Sequence, residues 1–115
     1  MDALNYLHNL GVVHLDLKPA NFVVMNYTKE EIEVKIIDFG LARRLENGVA
    51  FIEVECGSKN YKAPEVKDAS YVTATADIYS FGIFLYQLCV GYFPSQVGQK
   101  EIKFRPRDWR KYART

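Results

Sequence analysis

A chain of 115 residues with a formal net charge of +1 has room for one domain or part of one. The balanced charge argues against a strongly basic or acidic binding surface, and we expect no nucleic-acid partner. Cys56 and Cys89 lack metal-ligand spacing and are expected to be reduced thiols, which favours a cytoplasmic or nuclear protein. No secretory signal is visible, and the longest apolar stretch is too short to cross a membrane, so no membrane association is expected.

The chain begins with a predicted helix over residues 2–10. Gly11 follows as a typical residue after a helix C-terminus. His8 lies near the end of this helix and is expected to pack or to form a hydrogen bond there. The helical spacing is carried by Leu4, Leu7 and Leu10.

The next segment, HLDLKPAN at residues 14–21, concentrates polar groups that can do chemistry, and we call it the polar loop. Pro19 removes a backbone donor and fixes φ, so this segment cannot be regular helix or an internal strand. A carboxylate and an ammonium two positions apart can both face one substrate, and a carboxamide further on can offer an oxygen to a metal. These three groups belong to Asp16, Lys18 and Asn21, and His14 adds an imidazole.

Short apolar segments flank the polar loop and predict strands. Residues 12–13 precede it, and residues 22–25 follow it. A second apolar strand is predicted at residues 33–37, joined to the first by the polar stretch 26–31 as a β-hairpin loop. The second strand leads directly to Asp38.

The most apolar stretch of the chain, residues 78–93, predicts a long helix. Thr73 or Thr75 could cap its N-terminus, with Asp77 in the first turn, and Gly91 is expected to end it. Apolar side chains occur all round this helix, which favours burial on most sides in a core.

Residues 95–115 are less informative. Pro106 stands at a plausible helix start, and Trp109 and Tyr112 follow at helical spacing. The basic residues between them are expected to face solvent, and a basic interaction tail is the alternative.

Four motifs in this order resemble those of the protein kinase catalytic domain. They match the catalytic loop, the magnesium-binding motif, the end of the activation segment and the start of the long buried helix of the large lobe. The Lys-Pro-x-Asn ending of the first resembles the serine/threonine branch. The motifs are HLDLKPAN at 14–21, DFG at 38–40, GSKNYKAPE at 57–65 and DIYSFG at 77–82.

The resemblance implies an α+β, protein kinase-like fold. It implies a mainly helical fragment of the C-terminal lobe with a small β-hairpin, so residues 1–115 are expected to be one partial catalytic domain. The cofactors implied are ATP and Mg²⁺, and the partner implied is a protein substrate.

The resemblance assigns chemical roles to four residues. Asp16 would accept or orient the proton of the substrate hydroxyl, and Lys18 would neutralise charge on the transferring phosphoryl group. Asn21 and Asp38 would hold magnesium, and together with Lys18 they would contact the cofactors.

Supporting roles are implied for a further set of residues. His14 would support the loop backbone and the region of Phe39. Phe39 would pack beneath Asp38, and Gly40 would permit a backbone bend that a side chain would hinder. The full set is His14, Phe39, Gly40, Ser58, Pro64, Glu65 and Asp77.

Downstream supporting residues would complete the site. Ser58 would bridge the catalytic Asp and Lys through its hydroxyl, which favours a Ser/Thr substrate over Tyr. Tyr61 and the segment Ala63-Pro64-Glu65 would shape the wall for the residue after the phosphoacceptor. Asp77 would accept hydrogen bonds from backbone amides of the polar loop and fix that loop to the long helix.

Two positions depart from the family pattern. Leu15 stands where the family usually has an Arg that pairs with an activation-segment phosphate, so we expect no switching by phosphorylation through this position. Glu65 usually pairs with a later Arg, and none of the arginines after residue 100 matches that location. Glu65 is therefore expected to be exposed, or the lobe to be unfinished.

The sequence has no G-x-G-x-x-G loop, strand Lys or helix Glu, so the N-terminal lobe is expected to be absent. Three interpretations follow: a Ser/Thr kinase of which this chain is a partial catalytic domain, a noncatalytic pseudokinase-like binding module, and an inactive truncated fragment. We favour the first for function and expect the isolated chain to be inactive unless a binding partner supplies the missing structure.

Overall fold

Two helices and six short strands account for the regular structure in the computed structural model, which describes residues 2–91, 93 and 94. The strands pair into three two-stranded antiparallel sheets, β1 with β4, β2 with β3 and β5 with β6. In chain order the elements are α1 Asp2–Asn9, β1 Val12–Val13, a 3-10 turn Pro19–Asn21, β2 Phe22–Tyr27, β3 Ile32–Ile36, β4 Arg43–Arg44, β5 Ala50–Ile52, β6 Ser70–Val72 and α2 Thr75–Val90.

This mixture fits the expected α+β class. The prediction of a mainly helical fragment with one small hairpin is wrong for the described residues, because three separate strand pairs lie beside two helices. Strand β1 was predicted, but its pairing with β4 and the pair β5–β6 were missed, because each joins segments that are far apart in the chain. Local periodicity did not identify β4, β5 or β6, strands of two or three residues whose stability comes from distant partners.

Helix α1 ends one residue earlier than predicted. Leu4 is buried at 3% exposure, where it packs with Leu17 and Ile36. Leu10 lies beyond the helix and is 61% exposed, so only the first part of the leucine series faces the core. The position of Gly11 after the helix is as predicted.

The β2–β3 hairpin is longer and its turn tighter than predicted. Asn26 and Tyr27 pair with Glu33 and Ile32 instead of belonging to the loop. A β-bulge interrupts the register between Val24 and Asn26. Polar side chains are tolerated in these strands because most of the hairpin is exposed to solvent.

Thr28 closes the hairpin turn. Its hydroxyl oxygen accepts hydrogen bonds from the backbone amides of Glu30 and Glu31, at 3.3 and 3.0 Å. The Thr28 amide in turn donates to the Glu31 carbonyl at 2.8 Å. This side-chain turn replaces the longer loop that the polar composition suggested.

The polar loop is held by apolar side chains that alternate along it. Leu15 lies in a core cluster with Val13, Ala50, Ile52, Ala63, Val66, Val72 and Ala76. Leu17 lies in a second cluster with Leu4 and Ile36. Asp16 is between these two anchors and stays half-buried, so the apolar packing on either side orients the carboxylate.

Helix α2 begins at Thr75 and ends before Gly91. Ala74 directly precedes the helix and makes no side-chain cap, but Thr73 Oγ1 accepts the Thr75 amide at 3.3 Å, so Thr73 caps the first turn and Thr75 does not. Most residues of the helix are buried or half-buried, as predicted, and the exposed ones are Thr75, Ile78 at 55% and Leu88 at 70%. The fully buried residues form a stripe: Ala76, Asp77, Ser80, Ile83 and Tyr86.

The remaining predictions concern the C-terminal segment, the two cysteines and membrane-spanning helices. The predicted helix from Pro106, with Trp109 and Tyr112, and the alternative of a basic tail lie outside the described residues. Both cysteines, Cys56 and Cys89, are free thiols. Among the helices that the structure describes, none has the length and apolar content required to span a membrane.

Gly57 is the glycine whose replacement is expected to be most damaging. Its φ is +99°, and a Cβ would lie 2.9 Å from the Leu15 carbonyl oxygen. Gly57→Ala should therefore lower the free energy of unfolding by about 2–4 kcal/mol, through left-handed strain plus a clash with backbone. Urea unfolding measures this loss.

Gly48 provides the matched control for that variant. Its φ is +81°, but a Cβ there would meet nothing within 4 Å. Gly48→Ala should lower stability by only about 1–2 kcal/mol, the cost of the left-handed backbone alone. Equal losses in the two variants would contradict a specific close approach between Gly57 and Leu15.

Candidate active site

Asp77 fixes the start of the polar loop to helix α2. The side chain is fully buried, and its two oxygens accept hydrogen bonds from the backbone amides of His14 and Leu15, at 2.8 and 2.9 Å. This is the contact anticipated for Asp77 from the sequence. His8 adds a further contact at 2.8 Å between Nε2 and Asp77 Oδ2.

The partner of His8 could not be found from the sequence. The histidine and Asp77 are 69 positions apart, and no local spacing connects them. A hydrogen bond near the end of α1 was anticipated, but its acceptor comes from α2. The result is that α1, the polar loop and α2 meet at one buried carboxylate, which makes Asp77 the anchor of the loop.

His14 is completely buried and supports the loop from within. Its Nε2 lies 3.0 Å from the Ile37 carbonyl oxygen, and its Nδ1 accepts the amide hydrogen of Asp16 at 3.1 Å. The ring also contacts Phe39 edge-on, with centroids 5.0 Å apart. Phe39 is 48% exposed, so in the described structure it packs only partly, through this contact with His14.

Ser58 connects the two charged groups of the polar loop. Its Oγ donates to Asp16 Oδ1 at 2.9 Å and accepts from Lys18 Nζ at 2.9 Å. A hydroxyl can do both at once because it has one hydrogen and two lone pairs. The structure thus brings the carboxylate and the ammonium to one point, with a side chain about 40 residues away holding both.

Asn21 closes the polar loop on Asp16. Its Nδ2 donates to the Asp16 carbonyl oxygen at 2.7 Å and lies 3.4 Å from Asp16 Oδ2. The backbone carbonyl oxygen of Asn21 accepts a hydrogen bond from the Ile37 backbone amide at 2.9 Å. Because Ile37 directly precedes Asp38, this bond places Asn21 and Asp38 at the same end of the hairpin.

Asp38 is exposed and adopts a left-handed backbone with φ of 61°. Its Oδ1 accepts the Gly40 amide at 3.2 Å, and a Cβ at Gly40 would lie 3.2 Å from the same oxygen. The unusual backbone conformation is therefore at Asp38, whereas the sequence predicted a bend at Gly40. Leu15, which directly precedes Asp16, also has a left-handed backbone, with φ of 70°.

The donor atoms of this region fit magnesium better than a softer metal. No cluster of three or more His, Cys, Asp or Glu able to hold a metal occurs in the part of the chain that the structure describes. Magnesium needs only one or two protein carboxylates because waters and phosphates complete its shell. Asp38 has an exposed carboxylate, and the Asn21 Oδ1 accepts no hydrogen bond from the described residues.

The segment after Ser58 forms a wall beside the loop. Pro64 is exposed and Glu65 is half-buried, without an ion pair among the described residues. Burial raises the pKa of the Tyr79 phenol, and the neighbouring Glu65 carboxylate raises it further. The Glu65 carboxylate is therefore near enough to act on the Tyr79 phenol, and no arginine pairs with it among the described residues.

Tyr61 connects this wall to α2, a contact that the sequence did not indicate. Its hydroxyl donates to Gln87 Oε1, and its backbone carbonyl accepts from Ser80 Oγ at 2.6 Å. Burial raises the pKa of the Tyr61 phenol, although the bond to Gln87 acts in the opposite direction. The wall is thereby fixed to the same helix that anchors the polar loop.

Comparisons with known proteins show which family the chain belongs to. The family model described as protein kinase domain matches residues 1–112. CBL-interacting protein kinase 24 of Oryza sativa subsp. japonica is 41% identical over 95 residues, covering 82% of this chain and 20% of the relative. CBL-interacting serine/threonine-protein kinase 8 of Arabidopsis thaliana is 43% identical over 95 residues, with the same coverage of 82% and 20%.

A third relative extends the comparison to animals. Ribosomal protein S6 kinase alpha-2 of Homo sapiens is 37% identical over 91 residues, covering 79% of this chain and 12% of the relative. The chain therefore spans a fifth or less of the length of these curated relatives. With the family model matching almost the whole chain, the chain belongs to the protein kinase domain family.

Proposed function

We propose that the polar loop, together with Ser58 and Asp38, forms the phosphotransfer part of a serine/threonine protein kinase active site. The reaction would transfer the γ-phosphate of ATP to a Ser or Thr hydroxyl of a protein. The observation that carries this proposal is the Ser58 hydroxyl, which lies 2.9 Å from both the Asp16 carboxylate and the Lys18 ammonium.

The two charged groups have complementary parts in this reaction. A substrate hydroxyl beside Asp16 would attack the γ-phosphorus and release its proton toward the carboxylate, while the bond from phosphorus to the leaving oxygen of ADP breaks. Lys18 would offset negative charge on the transferring group. Because such a transfer needs little covalent help, most of the contribution of these residues is position and charge.

Asp38 and Asn21 would hold magnesium through side-chain oxygens. Magnesium supplies neutralisation of phosphate charge when it is bound. The placement of both residues at one end of the hairpin supports this assignment. The contacts to the nucleoside part of ATP would come from outside these residues, either from the same polypeptide or from a partner.

Ser58 provides the sharpest test of the proposed site. Ser58→Ala should lower kcat by roughly 10- to 100-fold, because a hydrogen bond to a charged group contributes about 1.5–3 kcal/mol. Ser58→Thr keeps the hydroxyl and should retain most of the activity. Steady-state kinetics on the native-length protein compare the two, and equal activity of the alanine and threonine variants would contradict the proposed role.

Leu15 gives the proposed kinase a distinct regulatory property. It is 5% exposed in the apolar cluster with Ile52, and residues 41–56 contain no Ser, Thr or Tyr. Full dephosphorylation should therefore leave kcat/KM unchanged, because there is neither a phosphate acceptor in that segment nor a donor at Leu15. Phosphatase treatment before the assay measures this. A fall in kcat/KM after phosphatase treatment would overturn the prediction.

A further inference from the structure

The turn that joins β4 to β5 contains an Asn-Gly pair at residues 47 and 48, the one position in the sequence at which a glycine follows an asparagine. Glu46 and Val49 flank the pair, and their backbone groups exchange two hydrogen bonds, at 2.8 and 3.1 Å. Both central residues have positive φ, 53° for Asn47 and 81° for Gly48, as a two-residue hairpin turn requires. Both are exposed to solvent.

The reactive atoms of this pair are accessible to each other. Within the part of the chain that the structure describes, neither the Gly48 backbone amide nor the Asn47 carboxamide forms a hydrogen bond. A Cβ at Gly48 would meet nothing within 4 Å, so the surroundings of this glycine are open. Because glycine has no side chain, nothing shields its nitrogen from the carboxamide carbon of the preceding residue.

The turn can open without disturbing the core. Attack on the carboxamide requires the Gly48 nitrogen to approach Cγ of Asn47, so the turn must depart from its hairpin geometry. The Glu46–Val49 bridge lies outside the named strands, and these two residues are exposed and half-buried, respectively. Segments with few buried contacts and solvent-exposed hydrogen bonds open locally at a low free energy, so the reactive conformation is accessible from the folded state.

We propose that Asn47 is a site of spontaneous deamidation, which converts this residue into a mixture of aspartate and isoaspartate. The Gly48 nitrogen attacks Cγ of Asn47 and loses its proton to solvent, and the Cγ–Nδ2 bond breaks to release ammonia. The product is a five-membered succinimide ring. Water then opens the ring: cleavage between the nitrogen and Cγ gives aspartate, and cleavage between the nitrogen and the backbone carbonyl carbon gives isoaspartate. Water is the sole co-reactant, and no atom is oxidised or reduced.

The other asparagines lack this combination of features. Each is followed by Tyr, Leu or Phe, whose side chain crowds the nitrogen that would attack. They are Asn5, Asn9, Asn21, Asn26 and Asn60. Asn60 is the best match to Asn47, since it is exposed and lies in a turn, but the Tyr61 amide that follows it donates to the Ser58 carbonyl at 3.0 Å. The reaction is therefore selective for Asn47.

The products change the turn in two ways. Both add a negative charge directly after Glu46, in a segment, residues 41–56, that has no Ser, Thr or Tyr to carry a phosphate. Isoaspartate also lengthens the main chain by one carbon, so the link between Glu46 and Val49 loses its hairpin geometry. Val49 leads into Ala50, which lies in one apolar cluster with Leu15. Deamidation should therefore weaken the protection of the Glu46 and Val49 amides from hydrogen exchange.

Timed incubation of the native-length protein in neutral buffer, followed by peptide mass spectrometry, tests the proposal. We expect residue 47 to change from amide to acid at least about tenfold faster than residue 60, because its hydrogen bond alone withholds the Tyr61 amide by roughly 2- to 10-fold. Isoaspartate methyltransferase with a labelled methyl donor should label the peptide that contains residue 47. Asn47→Gly has no carboxamide and tolerates positive φ, so it should remove this label, whereas the matched control Asn60→Gly should keep it.

Three results would overturn the proposal. Equal rates of acid formation at residues 47 and 60 would contradict the selectivity. Isoaspartate label that persists in Asn47→Gly would place the reaction elsewhere. Aspartate without isoaspartate at residue 47 would contradict attack by the Gly48 nitrogen, because direct hydrolysis of the carboxamide leaves the main chain unchanged. None of these results depends on kinase activity, so the proposed function is tested separately.

Discussion

Replacing Asp16 by asparagine is expected to lower kcat by about 10²- to 10⁴-fold, the usual contribution of a positioned proton acceptor. Asparagine has the same shape and keeps an oxygen that can accept the Ser58 hydrogen bond. It lacks the negative charge that would attract the substrate proton. The loss should therefore appear in kcat, with little change in the KM for ATP.

The control for this variant is a matched carboxylate on the surface. Asp68 is exposed, and its carboxylate accepts a backbone hydrogen bond from Glu55. Asp68→Asn makes the same chemical change away from the polar loop and should leave kcat unaltered. Urea unfolding of both variants verifies that the fold is intact. Normal turnover in Asp16→Asn would place the proton acceptor elsewhere and refute the assignment.

Replacing Asp77 by alanine is expected to have the largest effect on stability. The change leaves the buried amides of His14 and Leu15 without an acceptor and removes the partner of His8. Each unsatisfied buried donor costs about 1–3 kcal/mol, so the free energy of unfolding should fall by roughly 2–6 kcal/mol. Urea unfolding of the native-length protein, followed by circular dichroism, measures this loss.

Two further variants show whether the loss comes from the backbone contacts. Asp77→Asn retains one oxygen acceptor, so it should lose only part of the stability that Asp77→Ala loses. Glu30→Ala removes an exposed carboxylate from the hairpin turn and should change stability by no more than about 0.5 kcal/mol. An Asp77→Ala protein as stable as Glu30→Ala would show that the loop is held by other contacts.

The polar loop illustrates what the sequence could predict. The proline and the dense polar groups within an apolar frame identified a rigid loop, and the bond pattern of Asp16, Lys18 and Ser58 was anticipated from the family resemblance. The end of α1 shortly before Gly11 and the end of α2 directly before Gly91 followed from local backbone preferences. These features are set by residues close together in the chain or by a known motif.

Features that depend on distant contacts were missed. The bond between His8 and Asp77 and the pairing of β5 with β6 have no local signal. Composition predicted a mostly buried α2 but could not identify that Ile78 and Leu88 stay exposed, because it reports how apolar a helix is, not which of its faces meets a neighbour.

One missed turn did have a local signal. Asn47 and Gly48 both have positive φ and lie between the bridged residues Glu46 and Val49. An Asn-Gly pair is a strong hairpin signal, and it could have identified this reversal before β5.

The most direct test of the account is phosphoamino-acid analysis of a protein substrate after incubation with the native-length protein, Mg²⁺ and ATP labelled at the γ-phosphate. We expect label in phosphoserine or phosphothreonine, which follows from the arrangement of Asp16, Lys18 and Ser58. Label confined to phosphotyrosine would contradict the substrate class. Binding of ATP without transfer of label to any hydroxyl would contradict the catalytic function itself and favour a noncatalytic binding module.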